Sequence, residues 1–258
     1  MMTPASKTVA ITTSWDDGHP LDLRLAELLA MYGVKGTFYI PIADPLVPRM
    51  SRDEIRELRR IGMEIGSHTQ THPRIHRLNP ATALVELRDS KAYLEDLLGE
   101  EVPAFCYPEG KFSRRNLGLI DQAGYRLART TIGFRTDLGF DPRLMPVGLQ
   151  FWKHSRRTLL QHALVQRNFR GAANWMRLWN GEHDPGRLAQ SMLRYIRQSG
   201  GVLHLWGHSW ELEQGDLWKE LEDTLKRISE FGPLAALTNS QLADLVIQAK
   251  SPQQSVYA

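Results

Sequence analysis

Residues 9–18 read VAITTSWDDG, a largely apolar and β-branched run that ends in two adjacent aspartates and a glycine. Such a run is typical of a buried strand, so Asp16 and Asp17 follow the first predicted strand. Taken alone, Asp-Asp-Gly is more often a turn or a helix cap than a functional site. Its meaning therefore depends on what the rest of the chain places beside it.

A second polar cluster, His68-Thr69-Gln70-Thr71-His72, follows another strand-like run about fifty residues later. Alone, His-x-x-x-His could be two surface histidines one helical turn apart. Beside the aspartates, it completes a set of one carboxylate and two imidazoles for a metal, with a second carboxylate left over. That set is the minimum for a metal-activated water with its own general base.

Strand-like and helix-like segments alternate along most of the chain. A capping box of Ser51 and Glu54 predicts the start of the second helix. Repeated βα units predict a parallel sheet, and this many predict an α/β fold, a single-domain distorted (β/α) barrel with seven strands. An open, doubly wound sheet is the alternative, because periodicity alone cannot show closure. Strands are predicted at residues 9–14, 36–40, 64–67, 104–107, 127–131, 202–206 and 233–237, and the other helices at 21–32, 80–98, 114–123, 217–231 and 240–249.

The length of 258 residues suits one domain, and we expect residues 1–258 to form a single catalytic domain. The alternation breaks at about 137–185, which we interpret as an insertion containing a basic, aromatic and partly helical segment. The tail from Ser251 is expected to be frayed.

Composition narrows the classes of protein and the location. The chain is 42% hydrophobic and 24% charged, as in ordinary soluble globular proteins, and its net charge of +3 does not indicate a nucleic-acid binder. The single cysteine, Cys106, excludes an internal disulfide and a cysteine-rich zinc site. No apolar run reaches transmembrane length, and no leader precedes the first strand. We therefore expect a cytoplasmic protein, with a peripheral position at the inner membrane face as a further option.

Two more polar groups follow predicted strands. Glu109 and Gly110 come after the fourth strand, and His208 comes after the strand at 202–206. In a (β/α) barrel, catalytic groups lie at the carboxyl ends of the strands. The aspartates, the two histidines of the second cluster and these groups are therefore predicted on one face.

These motifs resemble the polysaccharide deacetylase family, carbohydrate esterase family four. Residues 14–18 match the family's Thr-Phe-Asp-Asp-Gly, residues 68–72 match its His-Ser/Thr-x-x-His, and the likeness extends from about residue 9 to 245. The resemblance implies that Asp17, His68 and His72 bind one divalent metal ion and that Asp16 is the general base. Zinc is the default for such ligands, with nickel, cobalt, manganese and iron as alternatives.

The family's last motif is a histidine just past a hydrophobic strand, which here implies His208 as the general acid. His204 competes for that role, but its position within the strand favours a buried, satisfied histidine or a residue of the pocket wall. The third motif departs from the family, because Cys106-Tyr107-Pro108-Glu109-Gly110 replaces Arg-Pro-Pro-Tyr-Gly. The arginine that orients the base is thus missing at Cys106, and Lys111 or Arg129 could substitute. The backbone N–H of Glu109 could still stabilise an oxyanion, since a backbone donor does not depend on the side chain.

Aromatic residues flank the predicted site. Trp15, Trp206 and Trp210 could pack against a sugar ring, and ordinary core packing is an equally good interpretation of each. The remaining residues expected to contact substrate are Tyr107, Pro108, Gly110, Lys111, Arg129 and His204.

Residues 149–181 contain six basic and no acidic side chains, interleaved with aromatic ones. This composition fits three alternatives. The segment could be a helix that lies on an anionic membrane surface, it could bind a phosphate or diphosphate group, or it could pack on the barrel with a solvated charged face.

The combined prediction is a metal-dependent amide hydrolase that removes an N-acyl group, acetyl or formyl, from an amino sugar. The absence of a leader favours a cytoplasmic precursor of a surface polysaccharide or glycolipid, carried on a nucleotide or polyprenyl phosphate. Two alternatives remain open. One is an allantoinase-like C–N hydrolase, suggested by His208-Ser209-Trp210-Glu211. The other is a non-catalytic carbohydrate-binding module.

Overall fold

The computed structural model describes residues 7–43 and 48–250, and its centre is a parallel sheet. Seven strands lie in the order β5-β4-β3-β2-β1-β7-β6, and β8 pairs with the start of β1. The predicted strands at 36–40 and 64–67 are confirmed with their bounds. The strands are β1 Val9–Asp16, β2 Gly36–Ile40, β3 Glu64–Ser67, β4 Ala104–Cys106, β5 Leu127–Arg129, β6 Leu149–Gln150, β7 Gly201–Gly207 and β8 Ala235–Ala236.

The segment leading into β6 connects the two sides of the sheet. Met145 forms a parallel bridge with Arg129 of β5, while the N–H of Gly148 donates to the carbonyl of His204 in β7 at 2.9 Å. The sheet therefore curls into a distorted (β/α) barrel, as predicted, and the open doubly wound alternative does not fit.

Helices cover the outside of the sheet, and several begin and end as their sequence signals predict. Ser51 and Glu54 form the expected capping box on α2. The helix at 80–98 keeps its predicted bounds, because Asn79 caps its first turn and Gly99 ends it in a left-handed conformation, with φ 69°. The helices are α1 Asp22–Met31, α2 Arg52–Arg60, α3 Pro80–Leu98, α4 Arg114–Gln122, α5 Arg156–Val165, α6 Phe169–Leu178, α7 Pro185–Ser199, α8 Ser209–Gln214, α9 Trp218–Ser229 and α10 Asn239–Lys250.

The region at 137–185 differs from the rest of the barrel. The sequence pattern does not predict the strand β6 within it or the helix α7 that follows it. The region holds a 3₁₀ turn at Pro142–Leu144, the two-residue strand β6 and the helices α5 and α6. β6 is too short to show periodicity. The amphipathic helix α7 follows directly and packs on β7 and α9. Within the described residues, no helix is both long and apolar enough to cross a bilayer.

Candidate active site

A cavity of about 950 Å³ lies where β1, β3, β4 and β7 end. Its wall brings together polar groups that are far apart in the chain, as their positions after parallel strands predict. Of the residues singled out in the sequence, those that line the cavity are Asp16, Asp17, His68, His72, Glu109, Gly110, Lys111, Trp206 and His208.

Asp17, His68 and His72 converge on one point of this wall. The Nε2 atoms of His68 and His72 are 3.2 Å apart, and Asp17 Oδ1 lies 3.8 Å from the first and 3.7 Å from the second. Bonds of about 2.0–2.2 Å to a shared ion place tetrahedral or octahedral ligand atoms roughly 3–3.5 Å apart. The separation of the two imidazole nitrogens lies in that range, and the two separations from the carboxylate are about 0.2–0.3 Å wider. A small movement of the side chains would therefore bring the three atoms around a single divalent metal ion.

The hydrogen bonding of His68 leaves the appropriate nitrogen free for a metal. Its Nδ1 lies 2.8 Å from the backbone carbonyl of Cys106. Since a carbonyl only accepts, Nδ1 carries the proton and Nε2 keeps a lone pair facing Asp17 and His72. Burial lowers the pKa of His68 to about 3, so the ring is neutral at physiological pH.

The backbone is strained at three residues that line the site, one from each of the first three motifs. Asp17 has φ 78°, His72 has φ 57° and Glu109 has φ 55°, all in the left-handed region that non-glycine residues seldom occupy. Such conformations cost on the order of 1–3 kcal/mol each and persist where the surrounding structure enforces them. They hold the side chains of Asp17 and His72 toward the same point.

A second set of possible ligand atoms, from Asp16, His68 and Cys106, also lies within 4.8 Å. Arg129 donates a hydrogen bond to Asp16 Oδ1, and the Cys106 thiol lies 3.8 Å from Asp16 Oδ2. Burial raises the pKa of the Cys106 thiol well above its usual value. Because a guanidinium already neutralises Asp16 and the thiol stays protonated, this set fits a cation less well than the first.

Arg129, one of the two residues expected to substitute for the arginine absent at Cys106, is the cation that pairs with Asp16. It extends from β5, is fully buried and pairs with Asp16, which is 4% exposed. Burial alone would raise the pKa of Asp16, but the charge of Arg129, with its hydrogen bond and the charge of His208, outweighs burial and lowers the pKa. Of the two expected substitutes, Lys111 does not fill this role, because its Nζ pairs with Glu109 at 2.6 Å.

Glu109 presents its backbone rather than a free carboxylate. Arg74 and Lys111 each bind that carboxylate at 2.6 Å. The hydrogen bonds found among residues 7–43 and 48–250 use the N–H groups of Gly110 and Lys111 but not that of Glu109. Among the described residues, the Glu109 N–H therefore has no backbone partner.

His208 follows β7, the neighbour of β1 in the sheet, and its Nε2 lies 3.7 Å from Asp17 Oδ2. Its Nδ1 lies 2.7 Å from Glu211, and Gln150 in turn donates to both oxygens of Glu211 at 3.0 and 3.1 Å. Burial lowers the pKa of His208, but the hydrogen bond and charge of Glu211, with the charges of Asp17 and Asp16, outweigh it and raise the pKa to about 9. Sequence reasoning missed the roles of Glu211 and Gln150. The i,i+3 spacing of His208 and Glu211 was the available signal for one of them.

Six residues expected to contact substrate are not part of the cavity wall. His204 is buried, with its ring nitrogens 2.8 Å from Ser14 Oγ and 3.1 Å from the carbonyl of Pro146. It is therefore the satisfied buried histidine that its place within the strand favours. The other five are Trp15, Tyr107 and Arg129, which are fully buried, together with Pro108 and Trp210.

Trp210 contacts the site in another way. Its indole N–H donates to Asp17 Oδ2 at 3.2 Å, and its ring lies 5.1 Å from that of His208. This hydrogen bond orients the Asp17 carboxylate.

Comparisons with known proteins find relatives in sequence and in fold. The YxkH protein of Bacillus subtilis (strain 168), provisionally named a polysaccharide deacetylase, is 28% identical over 130 residues. That alignment covers 50% of this chain and 46% of the relative, so the chain spans about half the length of the curated protein it matches.

Solved structures share the fold over nearly the whole chain. A Mycobacterium smegmatis protein with the same provisional name has a TM-score of 0.69 at 15% identity, covering 100% of this chain and 96% of that one. The chitin deacetylase of Colletotrichum lindemuthianum has a TM-score of 0.58 at 16% identity, with 93% and 90% covered. The sequence profile of the polysaccharide deacetylase family matches residues 2–128, a range that includes Asp17, His68 and His72. Residues 2–128, just under half of the chain, therefore belong to the polysaccharide deacetylase family.

Proposed function

We propose that this protein is a metal-dependent amide hydrolase that removes an N-acyl group, acetyl or formyl, from an amino sugar. One observation carries the proposal. Asp17, His68 and His72 form a three-ligand set, while Asp16 lies beside it with a separate cationic partner. The two adjacent aspartates are therefore in different environments, which fits two different roles.

Asp17, His68 and His72 would hold one divalent ion, with zinc first and nickel, cobalt, manganese or iron as alternatives. Their donor set of one carboxylate oxygen and two imidazole nitrogens fits such an ion, and three protein ligands leave positions open. When bound, the ion supplies a water of lowered pKa and a Lewis acid for the acyl carbonyl.

The remaining residues account for the proton transfers. Asp16 accepts the proton of the attacking water, and Arg129 keeps this carboxylate ionised and in place. The Glu109 N–H donates to the oxygen that becomes negative as the carbonyl is attacked. His208, protonated because of Glu211, donates its Nε2 proton to the leaving sugar amine.

The size of the cavity supports a substrate larger than one sugar ring. Its volume of about 950 Å³ is near the top of the usual range of roughly 300–1,000 Å³ for small-molecule sites. Trp152 and Trp206 supply aromatic faces, and Lys111 and Arg167 supply positive charge. An amino sugar carried on a nucleotide or polyprenyl phosphate fits these features. The reaction would then belong to surface-polysaccharide or glycolipid biosynthesis on the cytoplasmic side, at the inner membrane face for a lipid carrier.

The test is release of acetate or formate from N-acylated sugars in free, nucleotide-linked and polyprenyl-phosphate-linked form. The purified protein is assayed after chelation and again after each divalent ion is restored. We expect release that needs the ion and is lost by orders of magnitude in Asp16→Asn. Turnover of allantoin without turnover of any sugar would indicate the allantoinase-like alternative. Sugar binding without any turnover would indicate the non-catalytic module.

A further inference from the structure

The helices α5 and α6 form a hairpin, residues 156–178, whose inner face is firmly anchored. Trp175 stacks on Phe134 with ring centroids 5.4 Å apart. In the turn, Asn168 donates to the carbonyl of Gly133 at 2.6 Å, and Gln166 donates to that of Thr131 at 2.8 Å. These contacts fix which side of the hairpin faces outward.

The outward side is unusually apolar. Nine large hydrophobic side chains are exposed among the described residues, and six of them lie on this hairpin. Phe169 and Met176 share one face of α6, since they are seven residues apart, and Leu160 and Leu164 share one face of α5. Concentrated exposed apolar area of this kind marks an interaction surface. The six are Leu160, Leu164, Val165, Phe169, Met176 and Leu178.

The same surface is purely cationic. Residues 156–178 contain five arginines and no acidic residue, and none of the five has a carboxylate of the described residues within ion-pair distance. These five charges exceed the net charge of +3 of the whole chain, so the remainder of the chain is net negative. The hairpin is therefore a localised positive patch. The five are Arg156, Arg157, Arg167, Arg170 and Arg177.

The hairpin also forms the mouth of the cavity. Val165 and Arg167 line the cavity wall, and the side chain of Val165 is 80% exposed. Whatever docks on the hairpin thus lies beside the entrance to the candidate active site.

We infer that this hairpin docks on an anionic lipid bilayer and holds the cavity mouth at the membrane surface. Its apolar side chains would enter the boundary between headgroups and acyl chains, while the arginines contact lipid phosphates. A second copy of the chain is a poorer occupant, because two patches of the same charge repel. The inference deepens the lipid-carrier form of the proposed function, but its tests need neither turnover nor a bound metal.

The first test measures sedimentation of the full chain with vesicles. Each arginine near an anionic surface contributes about fivefold to binding, so losing four should weaken it by on the order of several hundred-fold. We expect binding to an equimolar mixture of phosphatidylcholine and phosphatidylglycerol, weaker binding in high salt, and little binding to phosphatidylcholine alone. The hairpin variant is Arg156→Gln, Arg157→Gln, Arg170→Gln and Arg177→Gln. The matched control removes four cations elsewhere, as Arg114→Gln, Arg194→Gln, Lys226→Gln and Arg227→Gln, and should keep binding.

The second test reports insertion at single positions. Cys106 is the only cysteine and is fully buried, so an introduced exposed cysteine can be labelled alone. The fluorescence emission of an environment-sensitive dye attached to Val165→Cys should shift to shorter wavelength when the mixed vesicles are added. The same dye on Met31→Cys, a site 71% exposed on α1, should not respond.

Several outcomes would overturn the inference. They are no binding to the mixed vesicles, equal loss of binding in the hairpin and control variants, and equal dye responses at the two positions. Self-association without vesicles that the hairpin variant abolishes would assign the surface to a second copy instead. Acyl release from a free sugar, measured without vesicles, tests the chemistry separately. The two proposals can therefore fail independently.

Discussion

Replacing Arg129 with methionine removes the cation that pairs with Asp16 and leaves a carboxylate in a buried site. Asp16 is 4% exposed and Arg129 is 0% exposed, so water cannot take over the lost interaction. Removing one partner of a buried ion pair costs about 3–5 kcal/mol, much of it for the charge left behind. We expect Arg129→Met to lower the free energy of unfolding by that amount.

The assay is urea unfolding followed by circular dichroism at neutral pH, in excess chelator so that metal binding does not contribute. With a slope of about 3 kcal/mol per molar urea, the midpoint should fall by about 1–1.7 M. The double variant Asp16→Asn with Arg129→Met has no buried charge at the pair. It should therefore be more stable than the sum of the two single effects predicts, by at least about 1 kcal/mol.

A catalytic measurement separates this pairing from general damage to the fold. Without Arg129, the effect of burial on Asp16 is no longer outweighed, so the pKa of this base should rise. The acidic limb of the pH–rate profile should move to higher pH. Arg129→Lys, which keeps the charge, should move it less than Arg129→Met. Two results together would refute the Asp16–Arg129 pairing. One is that each single variant changes the free energy of unfolding by less than about 1 kcal/mol and that the two changes add within about 0.5 kcal/mol in the double variant. The other is an acidic limb that does not move.

Three further results are expected. His68→Ala should reduce the metal content from about one ion per chain to traces by elemental analysis, while Gln70→Ala keeps it; full occupancy in His68→Ala would contradict the ligand set. Glu211→Gln should lower kcat by roughly 10–100-fold. Because Glu211 is a main reason that the pKa of His208 reaches about 9, the basic limb of the pH–rate profile should also move to lower pH. An unmoved basic limb would exclude this role of Glu211. Burial raises the pKa of Glu64, so this group costs stability as pH rises from its unfolded pKa through its raised folded pKa. Glu64→Gln should flatten that fall in thermal melts measured as the pH rises above the unfolded pKa of a glutamate, and parallel curves for the two proteins would show that Glu64 does not cause the fall.

Features set by short-range chemistry could be predicted from the sequence. The bounds of α3 follow from Asn79 and Pro80 at its start and Gly99 at its end. The gathering of Asp17, His68 and His72 follows from a general property of parallel sheets, because residues after neighbouring strands emerge at one edge. Those positions needed only the strand pattern and the motif spacing.

The ion-pair and strand partners that come from distant parts of the chain could be identified only in the tertiary structure. Arg129 and Lys111 were equal candidates to pair with Asp16, and only the position of β5 next to β4 places Arg129 against it. β6 is a strand only because β7 and the bridge at Met145 flank it. Neither fact is encoded in a local pattern.

Burial was the other property that the linear pattern left open. Trp15 and Trp206 had the same two interpretations, and the barrel buries the first fully while leaving the second in the cavity wall. For residues 149–181, composition likewise did not show which side chains are buried, and it allowed either a barrel cover or a docking surface. The sequence by itself determined the residue types, the strands and helices with clear end signals, and the motifs that carry Asp17, His68 and His72. The tertiary structure decided which side chains are desolvated and which charges face each other, because both depend on neighbours contributed by distant parts of the chain.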